Sequence, residues 1–69
     1  MTLTVVGAGY VGLVTAAVFA ELGNKVFCID INKERIEGLK KGKVPFFEPL
    51  LPEYISRNYQ AKRLFFTTS

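Results

Sequence analysis

The chain has 69 residues, 49% of them hydrophobic, with nine basic residues against six acidic ones and a net charge of +3. That is enough apolar material for one small globular domain, too little for two, and too much for a disordered tail. With no histidine and one cysteine, these residues exclude a histidine base, a histidine metal site and an internal disulfide.

The first predicted element is a strand, Leu3-Thr4-Val5-Val6, which runs directly into Gly7-Ala8-Gly9-Tyr10-Val11-Gly12. Three glycines at this spacing, between a strand and a helix, form a dinucleotide fingerprint with a separate task for each. Gly7 lets the chain turn sharply, Gly9 lets bare backbone approach a pyrophosphate, and Gly12 lets the helix sit close on the sheet. Amides at the helix start then face the anion. The helix is expected from Tyr10 to Leu22, with Gly23 as its stop. Gly12, Ala16 and Ala20 line one stripe, and Val11, Leu13, Val14, Val18 and Phe19 fill the rest, which predicts burial around much of the circumference.

A second strand, Lys25-Val26-Phe27-Cys28-Ile29, ends at Asp30, 18 positions after Gly12. An acid at about this interval accepts hydrogen bonds from the adenosine ribose, and its charge repels a 2′-phosphate, so the cofactor expected is NAD rather than NADP. Cys28, in mid-strand, is expected to be a buried, inert thiol. Asn32 is the better helix cap, and Ile31 and Ile36 have the spacing of a hydrophobic staple around it. On this reading Asp30 has no structural duty, which favours a functional one. The helix from Asn32 to Lys41 turns Ile36 and Leu39 inward and stops at Gly42. Arg35, on its first turn, has two readings: a contact near the ribose held by Asp30, or an exposed arginine paired with Glu34 or Glu37. Lys40, Lys41 and Lys43 read as a solvated helix end, and no nucleic-acid partner is expected.

Val44-Pro45-Phe46-Phe47-Glu48-Pro49 cannot be helical inside and is expected to be an ordered loop packed on the domain. A further helix begins between Pro49 and Pro52 and ends before Lys62, with Leu50, Tyr54, Leu51 and Ile55 on its apolar side. Leu64-Phe65-Phe66-Thr67 is a third strand. The layout is β-α-β-α-α-β, an α/β Rossmann-like half domain with a parallel three-stranded sheet of order 3-2-1, and residues 1–69 make the incomplete N-terminal part of an NAD-binding domain. No stretch is long and apolar enough to span a bilayer and no charged leader precedes an apolar run, so a cytoplasmic location without membrane contact is expected. In this strand order the first strand lacks a neighbour on its outer side, which predicts self-association or marginal stability.

Taken together, Gly7-Ala8-Gly9-Tyr10-Val11-Gly12-Leu13, Asp30-Ile31-Asn32 with Arg35-Ile36, and Pro45-Phe46-Phe47-Glu48-Pro49 with Leu51 resemble the start of the UDP-glucose 6-dehydrogenases, in the UDP-glucose/GDP-mannose dehydrogenase family. The first block fits many dehydrogenases; the third is far more particular. The resemblance implies an NAD-dependent enzyme that oxidises the C6 alcohol of a nucleotide sugar to a carboxylate, using two NAD⁺ and a catalytic cysteine. It implies that Gly7, Ala8, Gly9, Tyr10, Val11 and Gly12 cradle the pyrophosphate, that Asp30 holds the adenosine ribose, and that Arg35 contacts the cofactor. It places the catalytic cysteine and the sugar-binding residues beyond position 69, so these residues include no catalytic and no metal-binding group, and by themselves they should be inactive. A homo-oligomer is expected of the full enzyme. Leu50 departs from the glycine often found there, and Ser69 from a common aspartate. GDP-mannose and UDP-N-acetylmannosamine dehydrogenases are the rival readings within the class, and a non-catalytic NAD-sensing module is the rival outside it.

Overall fold

The structure, a computed structural model, describes residues 1–44 and 49–68. Along the described residues run β1 (Thr2–Val6), α1 (Tyr10–Glu21), β2 (Lys25–Ile29), α2 (Lys33–Lys40), α3 (Leu51–Gln60) and β3 (Leu64–Thr67). Parallel strands need long crossovers, and α1 supplies the first while α2 and α3 supply the second. The strands form one parallel sheet with β2 in the centre, which is the expected 3-2-1 order. Val5 lies level with Cys28, and Cys28 with Phe66.

Alternation along the strands separates the two faces of the sheet. Val26, Cys28, Leu64 and Phe66 are buried beneath the helices, and Leu3 and Val5 pack against them. Thr4, Phe27 and Phe65 lie level across the other face. There the rings of Phe27 and Phe65 stack with centroids 5.0 Å apart, and Lys25 Nζ stands 5.7 and 5.4 Å from them.

The small-residue stripe of α1 does bring the helix down on the sheet: Leu13, Ala16, Ala17 and Ala20 are fully buried. The expectation of burial around most of the helix does not hold, because Val11 is 76% and Leu22 72% exposed, and Val18 and Phe19 are exposed too. Three strands and α3 cover only one side of α1, and the apolar residues opposite face outward. On α2, Asn32 caps as expected, its Oδ1 accepting from Arg35 N at 3.0 Å. The staple does not form: Ile36 is buried, whereas Ile31 is 94% exposed. Asp30 Oδ1 accepts the Asn32 amide at 2.8 Å, and this Asx turn directs Ile31 to solvent.

All three helices close with the same pair of backbone bonds, a Schellman motif. The bonds run to Ala20 and Phe19 at the end of α1, to Leu39 and Gly38 at the end of α2, and to Tyr59 and Asn58 at the end of α3. The positive-φ residue is Gly23, then Gly42, but at the end of α3 it is Lys62. The loop Pro45-Phe46-Phe47-Glu48 lies outside the described residues.

A polar cluster ties α3 to the end of α1. Arg57 grips Glu21 with two bonds, Nε to Oε1 at 3.3 Å and Nη2 to Oε2 at 3.0 Å. Asn58, fully buried, donates to Glu21 Oε1 at 2.9 Å and to the Tyr54 carbonyl at 2.8 Å, and its Oδ1 accepts from Arg63 Nε at 2.9 Å. Arg63 Nε also donates to the Ala20 carbonyl at 3.2 Å. The Asn58 bond leads in holding the Glu21 carboxyl below its ordinary value of 4.5; partial burial opposes it, and Arg57 and Arg63 assist.

Candidate dinucleotide site

Parallel α/β sheets present their ligand sites at the carboxyl ends of the strands, and here β1 and β2 end side by side. Gly7 N donates to the Ile29 carbonyl at 2.6 Å, so the loop leaves β1 while still tied to β2. Gly7 takes φ +98°, a conformation that suits glycine and makes the sharp exit. Gly12 meets the opposite constraint: a Cβ there would overlap the Gly7 carbonyl oxygen and stand 3.6 Å from Val5 Cγ1. Gly9 meets neither, since a Cβ at Gly9 has nothing within 4 Å. Its φ of −70° and ψ of −178° suit other residues as well. Protein packing therefore does not require a glycine at position 9, and the space in front of its backbone is open.

Gly9 is also the N-cap of α1, without a side chain to cap the helix, and no acidic residue stands in the first turn. The helical ladder begins with Leu13 N donating to the Gly9 carbonyl at 2.8 Å. The first turns of α2 and α3 carry Glu34 and Glu53, which offset their positive ends. The start of α1 has no such internal counter-charge, and it opens beside the glycine loop. Tyr10 and Val11 are exposed at this opening, whereas Ala8 is fully buried.

Asp30 follows β2 and is held from both sides of the sheet. Its amide donates to the Thr67 carbonyl at 3.1 Å, and its Oδ2 accepts from Ala8 N at 2.7 Å. The expectation that Asp30 lacks a structural duty is therefore corrected. Its carboxylate joins the glycine loop to the start of α2, which an Asp two residues before an Asn cap could have signalled as an Asx turn. The amides of Asn32 and Ala8 hold the carboxyl below its ordinary value of 3.8, against partial burial, and Arg35 adds to them. Arg35 pairs with neither Glu34 nor Glu37: its Nη1 stands 3.4 Å from Asp30 Oδ2. Asp30 thus remains an anion at neutral pH, with Arg35 at its side.

Cys28 lies one turn of the pleat away, fully buried. Burial, and to a lesser degree the charge of Asp30, push its thiol up to about 11, so it stays protonated and unreactive at neutral pH.

The open glycine-loop backbone, the uncapped helix start and the anionic Asp30 suit a dinucleotide with a pyrophosphate and a free ribose diol. A family model for the NAD-binding domain of UDP-glucose/GDP-mannose dehydrogenases matches residues 1–69. The chain belongs to this family.

Among curated relatives of this UDP-glucose/GDP-mannose dehydrogenase domain, a UDP-glucose 6-dehydrogenase of Pseudomonas aeruginosa is 51% identical over the whole chain, which corresponds to 15% of that protein. Among solved structures, a UDP-glucose dehydrogenase from Pyrobaculum islandicum superposes with a TM-score of 0.92 at 41% identity, over 99% of this chain and 16% of its own. The UDP-N-acetyl-mannosamine dehydrogenase Cap5O of Staphylococcus aureus superposes with a TM-score of 0.95 at 38% identity, over the whole chain and 17% of its own. The chain thus spans about 15% of the length of the relatives it matches. Among the described residues, no helix is long and apolar enough to cross a membrane.

Proposed function

We propose that this chain is the NAD-binding N-terminal part of a nucleotide-sugar dehydrogenase resembling UDP-glucose 6-dehydrogenase, which converts UDP-glucose, two NAD⁺ and water to UDP-glucuronate and two NADH. The observation that carries the reading is the uncapped start of α1, its Gly9 backbone open to the outside, set beside the anionic Asp30. In this reading the backbone from Gly7 to Gly12 holds the pyrophosphate, Asp30 accepts from the ribose hydroxyls, and Arg35 lies against the adenosine side. NAD, when bound, supplies the hydride acceptor. The chain's own residues bind and orient it, and we place the catalytic cysteine and the sugar-binding residues outside residues 1–69. UDP-glucose is preferred to GDP-mannose or UDP-N-acetylmannosamine on the match to the UDP-glucose 6-dehydrogenases and on the Pro45 to Pro49 block. The backbone does not separate them, since the Cap5O structure superposes as well as the UDP-glucose enzyme. A cytoplasmic location is consistent with the free, buried Cys28.

Calorimetric titration of the chain with NAD tests the site. Asp30→Ala is expected to weaken binding about ten- to a hundredfold, as loss of hydrogen bonds to a charged group does. Unchanged affinity would remove Asp30 from the site.

We also propose that the isolated chain self-associates. Among the described residues β1 pairs only with β2, and Val6 at its end is 82% exposed. Sedimentation equilibrium is expected to show a mass that rises with concentration, and a constant monomer mass would refute it. For the full enzyme, a homo-oligomer is the assembly we propose.

A further inference from the structure

A cleft of about 250 Å³ lies between the end of α2 and the second half of α3. Leu39 and Ile55, both buried, give it an apolar floor together with the half-buried ring of Tyr59. Lys40 and Lys41 stand exposed on one wall, and Ser56 and Gln60, one turn apart on α3, stand exposed on the other. Among the described residues no acid lines the cleft, and neither lysine makes an ion pair; the pairs are those of Arg35 with Asp30 and of Arg57 with Glu21 and Glu53. Glu37, one turn before Lys41, lines a different hollow. The end of α2 opposes an anion with roughly half a negative charge, against two ammonium groups. Its last carbonyls are also spoken for: those of Glu37, Gly38 and Leu39 accept the amides of Lys41, Lys43 and Gly42.

We propose that this cleft binds a small organic phosphate, with the phosphoryl group between Lys40 and Lys41 and the apolar part against Leu39, Ile55 and Tyr59. The Ser56 hydroxyl and the Gln60 carboxamide supply neutral donors from the facing helix. Two adjacent cations and two neutral donors suit a dianion with three oxygens better than a carboxylate, which has one charge and two. The site is separate from the dinucleotide site, because α2 starts beside Asp30 and runs eight residues, about 12 Å, before it reaches the cleft. It therefore stands whether or not the glycine loop binds NAD.

Amide NMR of the chain titrated with phenyl phosphate at neutral pH tests this. Shifts are expected at Gly42, Ser56 and Gln60, half-saturated at roughly 1–10 mM, the strength of a few exposed charge-assisted contacts. Benzoate, with the same ring and a single charge, is expected to need about five times the concentration. Lys40→Ala combined with Lys41→Ala is expected to abolish these shifts, and Lys40→Arg combined with Lys41→Arg to keep them. Ser56→Glu places a carboxylate opposite the lysines, and is expected to weaken phenyl phosphate while melting at the wild-type temperature or above. The proposal is overturned if these three amides do not move, if their shifts survive the double alanine variant, or if benzoate binds as well. Wild-type affinity in Ser56→Glu overturns it even if the double alanine variant fails to fold. Phenyl phosphate that moves only the amides from Gly9 to Val11 also overturns it, and assigns the anion to the start of α1 instead.

Discussion

Gly12→Ala is expected to destabilise the chain by about 3 kcal/mol or more, with a melting temperature lowered by roughly 15 °C, whereas Gly9→Val leaves the fold within about 1 kcal/mol of wild type. The difference comes from what each new side chain meets. At Gly12 a Cβ strikes the Gly7 carbonyl oxygen, and its two nearest neighbours are backbone atoms of Gly7 that cannot rotate aside. Helix propensity offsets only about 1 kcal/mol of that cost. At Gly9 the Cβ has open space around it and the backbone is already extended. A valine there obstructs only what would lie outside the protein. Thermal melts paired with NAD titration therefore separate the two roles: Gly12→Ala loses stability, and Gly9→Val keeps its melt and loses at least tenfold in NAD affinity. Undiminished affinity in Gly9→Val would refute the pyrophosphate pose, and a wild-type melt for Gly12→Ala would show that the helix does not need a glycine to sit on the loop.

Replacement of Asn58 by leucine, which has the same branching but is larger and apolar, is expected to cost about 2–4 kcal/mol, a large share of the stability of a domain this small. The substitution removes three bonds at the junction of α1 and α3, those of the Asn58 amide to Glu21 Oε1 and the Tyr54 carbonyl and that of Arg63 Nε to Asn58 Oδ1, and leaves Glu21 to Arg57 and Arg63 to the Ala20 carbonyl. Urea unfolding measures this directly, and a midpoint equal to wild type would mean that the cluster is held by Arg57 and packing alone. The same cluster has a signature in pH. A carboxylate whose folded pKa lies below its unfolded one stabilises the fold above the unfolded value, and that contribution is lost as pH falls through the folded value. For Glu21 the stabilisation is thus complete above about 4.5 and disappears at lower pH. Glu21→Gln is expected to be less stable at neutral pH and to flatten this acid decline. A variant with the wild-type acid limb would assign the decline to other groups, Asp30 first.

Much of this was legible along the chain because it depends on neighbours in sequence. The strand before Gly7, the stop at Gly23 and the cap at Asn32 are local matters of backbone conformation and hydrogen bonding, and the structure has them where the spacing places them. The end of the third helix before Lys62 was legible too, but the positive φ of Lys62 was not, because a lysine in that conformation carries no compositional mark. The staple failed because Asp30 captures the Asn32 amide, a competing local bond that apolar spacing does not register.

By itself the sequence determined the order of elements, the parallel sheet, the glycine loop and the acid after the second strand, because periodicity and turn chemistry act over a few residues. Only the tertiary structure decided what those residues touch. Ala8 and Asp30 are 22 positions apart, and Glu21 and Asn58 are 37 apart. Such pairs meet only when β1 lies beside β2 and α3 lies against α1, so no pattern along the chain encodes them. The same holds for Gly9 and Gly12, equal as letters in the motif, which packing divides into one glycine that the fold requires and one with open space in front of it.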